Sequence, residues 1–461
     1  MKKKLLYIIF TAAALIVCLL PSVCMIFAKS DETIGNETEV KFPGELTENI
    51  LEDMGDWFEH HYAFRPQLIT ADAEIQAGVF KLSNTDSVTV GSDGWLYYSS
   101  TVNDFTGKNT LSERGIWNAA HNIKLIQDYV ESKGSSFLVT IPPNKNSLYG
   151  ENMPYYSSAP YSDDRNRDHF AEAFEEAGVN YLDLYELFEG QGETLYLKED
   201  SHWNNKGALM VYNAMLDSLE IDHEDFASAQ VSRGRTHSGD LRAMIYPASD
   251  VKEWDFTYET LNPFEYISLE GSSDPVSVED RQVESENPSG EGSLLMYRDS
   301  FGNTLIPFLS QNFESAYYSK ATPYTLAADL SERKPDYVII ERVERSMREF
   351  ASMPATIPAS RAEIDKEDLK ELENVPVDIG SYMYNSSYVA FTGTLEEESI
   401  DENVSVYLEI TDARGETAVY NAYGITTAGS DYGFAVYLPV TSFGSAQAAQ
   451  QAQVKVYADK Q

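Results

Sequence analysis

The stretch Ser293-Leu294-Leu295-Met296-Tyr297-Arg298-Asp299-Ser300-Phe301-Gly302-Asn303 decides the fold. An apolar, strand-like run over 292–297 breaks at a polar turn, and a helix is expected over 303–311. The same texture recurs on either side. Ser136-Phe137-Leu138-Val139-Thr140-Ile141 reads as a buried strand, stopped by Pro142-Pro143. Tyr337-Val338-Ile339-Ile340 reads as another, and Tyr181-Leu182-Asp183-Leu184 as a third. Helical spacing separates them over 111–132, 168–177 and 206–219. Short strands alternating with helices predict an α/β fold, a largely parallel sheet with helices on both faces. Ser300 would then lie at the carboxyl edge of that sheet, where open α/β folds place ligands.

A second stretch, Glu199-Asp200-Ser201-His202-Trp203, supplies a carboxylate and an imidazole two residues apart. If it is extended, both side chains leave the same face. Asp200 could accept a hydrogen bond from His202 Nδ1, leaving Nε2 as base, and Trp203 could pack behind the ring. With Ser300 these are the parts of an acyl-transfer triad: a hydroxyl nucleophile, a base and an orienting acid. Plainer readings stand beside this one. Asp200 or Ser201 could merely cap the next helix, and Ser300 could be an N-cap. If Ser300 does precede a helix, free N–H groups there would favour a developing oxyanion, and its own N–H is a candidate donor.

The chain has 461 residues, which predicts two or three folded units. It carries 34 basic against 74 acidic residues, a net charge of −40. That argues against nucleic acid and against docking on anionic lipid heads. Lys2, Lys3 and Lys4 precede an apolar run of 24 residues, 5–28. This run is long enough to cross a hydrocarbon core of roughly 30 Å, with the positive flank cytoplasmic and the rest outside. It is longer than the apolar region of a cleaved signal peptide, so an uncleaved anchor is the favoured reading. Cys18 and Cys24, the only cysteines, lie within it. No disulfide framework or thiolate metal site can therefore form outside the membrane. Val17 and Val23 before them oppose lipid modification. No histidine pair has metal-binding spacing, and no metal or cofactor is expected.

The expected organisation is an anchor (1–28), a stalk and helical segment (29–85), a catalytic domain (86–350), a linker (351–375) and a small antiparallel β-sandwich (376–461). Residues 246–291 look like an insertion rich in Ser, Glu, Asp and Pro, with 270–292 a mobile loop. Gly91-Ser92-Asp93-Gly94 between Val88-Thr89-Val90 and Trp95-Leu96-Tyr97-Tyr98 signals a hairpin. Trp95 and the 30 tyrosines would suit stacking on sugar rings, or equally a core. Apolar alternation after about 376 predicts an independent tail, so deleting 377–461 should leave the core folded.

Asp200-Ser201-His202-Trp203, Arg298-Asp299-Ser300-Phe301-Gly302-Asn303 and Ile141-Pro142-Pro143-Asn144-Lys145 together resemble the alginate O-acetyltransferase-like, DHHW-type branch of the SGNH-hydrolase proteins. Trp57-Phe58, Arg65, Gly94-Trp95-Leu96-Tyr97, Ser238-Gly239-Asp240-Leu241 and Lys334-Pro335-Asp336-Tyr337-Val338 support it, in the family's order over roughly 46–348. The resemblance implies an SGNH-hydrolase-like domain with Ser300 as nucleophile, His202 as base and Asp200 as orienter. It also implies transfer of acetyl groups to a cell-surface or secreted polysaccharide, with a membrane acyltransferase partner supplying them. Two positions depart from the family pattern. Ser201 stands where the branch has a second histidine, and Arg298 where ordinary SGNH enzymes have glycine. Arg298 could bind an anionic sugar or serve as an ion-pair partner. Asn144, Asn303 and Lys145 are further oxyanion or substrate-binding candidates. Water as acceptor would make the protein a carbohydrate acetylesterase. A non-catalytic polysaccharide-assembly scaffold, binding glycan through the C-terminal β-domain, is the alternative outside enzymes. Wide separation of Ser300 from His202 would favour that scaffold.

Overall fold

The computed structural model describes residues 2–25, 27, 33–35, 37–162, 164–322, 324–381, 387–412 and 414–460. The central sheet has seven strands among them. In spatial order they are Tyr181–Leu182, Ser136–Thr140, Tyr337–Glu341, Ser293–Tyr297, Ser315–Ser319, Gln282–Glu286 and Glu265–Ile267. The first five run parallel. The last two close the edge antiparallel.

Strand periodicity explains why the middle strands are apolar throughout. Phe137, Val139, Leu295, Tyr297, Val338 and Ile340 face one core, with helices Glu113–Ser132 and Asn166–Glu176. Leu138, Leu294, Met296 and Ile339 face the opposite core, with helix Asn205–Ser218. The expected layering of helix, sheet and helix is present. Local signals set the boundaries. Ser112 Oγ accepts the Gly115 N–H at 3.0 Å and starts its helix. Asp183, expected in a strand, instead caps helix Leu184–Phe188 by accepting from Tyr185 N–H and Glu186 N–H.

Two expectations change within the catalytic part. The 246–291 insertion is built into the fold rather than hung from it. Its strand Glu253–Tyr258 pairs with Val231–His237, and strands Glu265–Ile267 and Gln282–Glu286 extend the central sheet. Its polar texture is that of edge strands, which need apolar residues on one face only. The helix expected over 303–311 is a 3₁₀ turn, Phe301–Thr304, followed by one α-turn, Ile306–Leu309. Pro307 and close packing leave no long helix whose dipole could act at Ser300. At the N-terminus, Lys2–Cys24 forms a helix containing Pro21. Among the described residues, however, no helix is long and apolar enough to cross a membrane. Ile26, Ala28, residues 29–32 and 36, the side chains of Val17 and Cys18 and turn residue Ala413 lie outside the described residues, as do 382–386 of the tail.

The C-terminal part is two four-stranded antiparallel sheets, one of which begins at Leu369–Leu372, ahead of the expected boundary. It is bonded to helix Glu113–Ser132. Arg114 donates to Glu402 O and Val404 O, at 3.0 and 2.7 Å. Asn118 Nδ2 donates to Asp431 O at 2.7 Å. Asn122 Nδ2 donates to Gly424 O at 2.8 Å and Oδ1 accepts the Gly424 N–H at 3.0 Å. Ala390, Tyr423, Ala435 and Tyr437 share a core with Ile116, Ala119 and Phe350. The expected independence of the tail gives way to this shared core, which alternation within the tail could not reveal.

Candidate active site

Tyr297 ends its strand inside the sheet, between Ser315–Ser319 and Tyr337–Glu341. The chain then turns sharply. Asp299 shapes the turn, accepting Phe301 N–H at 2.9 Å and Val343 N–H at 2.8 Å. Gly302 is required by close approach: a Cβ there would meet the Arg298 side chain at 2.7 Å and Glu341 Oε2 at 3.0 Å. The result lifts Ser300 to the sheet's carboxyl edge. Its side chain makes no capping bond; it meets His202 instead.

The Asp200–Trp203 segment reaches Ser300 from the other core. An isolated bridge, Tyr196 to Trp203, closes its turn. Asn204 then caps helix Asn205–Ser218, accepting from Lys206 N–H and Gly207 N–H. Trp203 Nε1 donates to Thr304 Oγ1 at 2.6 Å, tying the two motifs together. The ring against the imidazole is Phe301, at 4.7 Å between centroids, and Trp203 packs edge-on behind Phe301 at 5.0 Å.

His202 Nε2 lies 2.8 Å from Ser300 Oγ, and Nδ1 lies 2.7 Å from Asp200 Oδ1. Asp200 is nearly inaccessible and His202 reaches a cleft of about 480 Å³. Burial opposes ionisation of Asp200, but the imidazoles of His202 and His237 overcome it and hold the carboxyl well below its usual range. Burial likewise opposes charge on His202, yet Asp200 and Asp240 raise its pKa. The sign of the pH dependence follows. For His202 to act as a base it must be neutral, so any ester turnover it supports should fall as pH drops through a pKa above the ordinary imidazole value of about 6.5. Asp200→Asn should move that acid limb downward and cost at least ~10²-fold in kcat. A pH–rate profile of both proteins checks this.

Asn303 shares the cleft with Ser300. Its Oδ1 faces Arg298 Nη1, and its Nδ2 donates to Glu279 Oε2 at 2.7 Å. The other candidates stand elsewhere. Asn144 is buried, its N–H donating to Glu344 Oε2 at 2.7 Å, and it does not line this cleft. Lys145 is buried beneath the motif, donating to Leu197 O and Lys198 O, at 3.0 and 2.9 Å, and to Asp200 O. Burial lowers its pKa to about 8. Arg298 is also buried, donating to Val278 O and Asp280 O at 2.8 and 3.0 Å. It braces the insertion and orients Asn303, which is neither of its two expected roles. Trp95 is not a sugar platform: it is 5% exposed and packs against Tyr149 at 5.1 Å.

His237 and Asp240 are site residues to which the sequence alone assigned no role. His237 Nε2 lies 2.7 Å from Asp200 Oδ2, and Asp240 N–H donates to the same oxygen at 2.9 Å. Gly239 permits this turn, since a Cβ there would lie 2.2 Å from Glu199 O. The signal was the adjacency of His237 to Ser238-Gly239-Asp240. Asp240 also accepts from Ser201 N–H and Oγ, so Ser201 is held at this site. Asp200, His202 and Asp240 offer ligand-type atoms within 4.8 Å of one another. In this arrangement Asp200 and Asp240 accept from protein donors, and His202 Nδ1–H donates to Asp200.

Residues 88–274 match the family described as "SGNH hydrolase-like domain, acetyltransferase AlgX". A probable alginate O-acetylase AlgJ of Pseudomonas putida is 23% identical over 225 residues, covering 48% of this chain and 54% of its own. The protein of the same description from Pseudomonas syringae pv. tomato is 29% identical over 180 residues, 36% of this chain and 44% of its own. The chain thus spans about half the length of the curated relatives it matches. The solved structure of Bacillus cereus PatB1 aligns at a TM-score of 0.44 and 15% identity, over 56% of this chain and 96% of that one. The chain is similar to the alginate O-acetyltransferase-like, DHHW-type branch of the SGNH-hydrolase proteins.

Proposed function

We propose, from that similarity, that the protein is an O-acetyltransferase acting on a cell-surface or secreted polysaccharide. The observation that carries the reading is the 2.8 Å contact between Ser300 Oγ and His202 Nε2, with Asp200 on the far side of the ring. Ser300 Oγ attacks the acetyl carbonyl while its proton passes to His202 Nε2. The tetrahedral intermediate expels the donor's leaving group, which takes that proton. A sugar hydroxyl next gives its proton to His202 and attacks the acetyl-serine. Ser300 leaves and recovers the proton. Asp200 holds the tautomer and stabilises the imidazolium throughout. The Ser300 N–H and Asn303 Nδ2 are the proposed oxyanion donors, the latter once Glu279 releases it.

Water in place of the sugar would give an esterase, so the test uses both acceptors. An acetyl-ester chromogen is supplied with and without candidate glycans. Transfer predicts faster release of chromogen with glycan and acetyl groups on the polymer, both lost in Ser300→Ala. Release unchanged by every glycan, with free acetate the sole product, would favour hydrolysis.

The triad needs an acetyl donor outside the cytoplasm if residues 5–28 anchor the chain in the membrane, as their sequence suggests. A membrane acyltransferase is the proposed supplier. Protease added to intact cells should then digest the bulk of the chain and spare the N-terminus. A protected body would overturn this placement.

A further inference from the structure

Asp200 has more donors than a triad requires. Oδ1 accepts His202 N–H at 2.9 Å and His202 Nδ1–H at 2.7 Å. Oδ2 accepts Asp240 N–H at 2.9 Å and faces His237 Nε2 at 2.7 Å. A carboxylate offers about four lone-pair sites, and here all four are used. Three come from its own segment and a backbone amide. The fourth is a separate side chain, delivered by the end of strand Val231–His237 where it pairs with Glu253. His237 lines the same cleft as Ser300 but points at the acid, not at the nucleophile.

We propose that His237 is a positioning residue for the acyl transfer, donating Nε2–H to Asp200 Oδ2 so that Oδ1 stays in line with His202 Nδ1. This rests on the reading of His202 as the base. The physical case is twofold. A nearly inaccessible carboxylate with an unfilled lone pair would turn to find another donor. Any such turn takes Oδ1 off the imidazole axis and mis-aims Nε2, while the carboxylate's charge stays beside the ring. Second, a donor on Oδ2 draws charge away from Oδ1, which tempers how strongly Asp200 raises His202. The charged groups facing this pair are few. Asp200, Asp240 and Arg345 act on His202; Asp200, Asp255 and Glu253 act on His237. Removing His237 therefore concentrates negative charge beside His202 whether His237 is neutral or charged. The base should become harder to deprotonate.

The test compares His237→Ala with His237→Gln, whose amide Nε2–H occupies the place of the imidazole donor. In ¹⁵N-histidine protein, His202 is identified by the resonance absent from His202→Ala. The alanine variant should show an upward shift of the His202 pKa and of the acid limb of kcat/KM. Its kcat should fall about 10-fold or more with KM within about twofold, and glutamine should restore both. Should the alanine variant lose its cooperative melting transition, His237→Asn, too short to reach Oδ2, replaces it. An unchanged His202 pKa, an effect confined to KM, or glutamine as impaired as alanine would overturn the proposal. The resonance titrates without turnover. A wild type whose turnover survives Ser300→Ala would instead sink the functional reading and leave this measurement standing.

Discussion

Ser300→Ala and His202→Ala should each lower acetyl-ester turnover by at least ~10²-fold, and the double variant should be no worse than the slower single one. The expectation follows from the chain of contacts. Ser300 Oγ lies 2.8 Å from His202 Nε2, the proposed base, and His202 Nδ1 lies 2.7 Å from Asp200 Oδ1. Removing the hydroxyl leaves the imidazole no proton to take. Removing the imidazole leaves a hydroxyl that is not nucleophilic at neutral pH. Each loss disables the same step, so the effects cannot multiply. Ser300→Ala removes one oxygen at the edge of a cleft, and the turn is held by Asp299 and Gly302. Its melting temperature should therefore stay close to wild type. Initial rates on a chromogenic acetyl ester, beside thermal melts, decide it. A folded Ser300→Ala retaining a tenth of the activity would remove Ser300 from the nucleophile's role. Multiplicative losses would mean that the two residues serve separate steps.

Deleting 377–461 should abolish cooperative folding of what remains. The cut strips strand Leu369–Leu372 of its partner, Gln453–Asp459. It also bares the sandwich-facing side of helix Glu113–Ser132. Arg114, Asn118 and Asn122 would lose buried acceptors, and His121 Nε2 its contact with Ala422 O at 3.0 Å. Each of these hydrogen bonds contributes about 0.5–1.5 kcal/mol net. Four such losses, with the bared apolar surface, rival a whole domain stability of about 5–15 kcal/mol. Calorimetry of the truncated chain is the measurement. A single sharp transition with wild-type ester turnover would show that the sandwich is a separable appendage. A gentler version is Asn122→Ala in the full chain, which orphans the Gly424 N–H and should lower stability by about 1–3 kcal/mol.

Local pattern and long-range assembly divided the work unevenly. The apolar strands, their order of alternation with helices and the two motifs were legible in sequence. Burial on both faces of a parallel strand leaves no room for polar residues, and a sharp turn at the strand's end demands a particular set of small and polar ones. Asp200 and His202 were legible as a pair from their two-residue spacing, although the segment folds as a turn rather than an extended strand, with Asp200 Oδ1 accepting the His202 N–H. What spacing along the chain cannot report is which distant segment fills a given hydrogen-bonding site. Arg298 read as a ligand or an ion-pair residue, yet the carbonyls of Val278 and Asp280 come from an insertion whose path the sequence does not display. Lys145 read as a substrate contact, yet three carbonyls of the Asp200 loop surround it. The sequence singled out no role for His237, and the partner that gives it one lies 37 residues away. The tail read as independent because alternation describes one sheet at a time, not the helix that the sheet covers. Sequence alone determined the strands, the turn that presents Ser300 and the identity of the three residues that meet there. Tertiary structure decided which polar groups serve those residues and which brace them. A buried donor or acceptor must be paired, and only the folded chain chooses its partner.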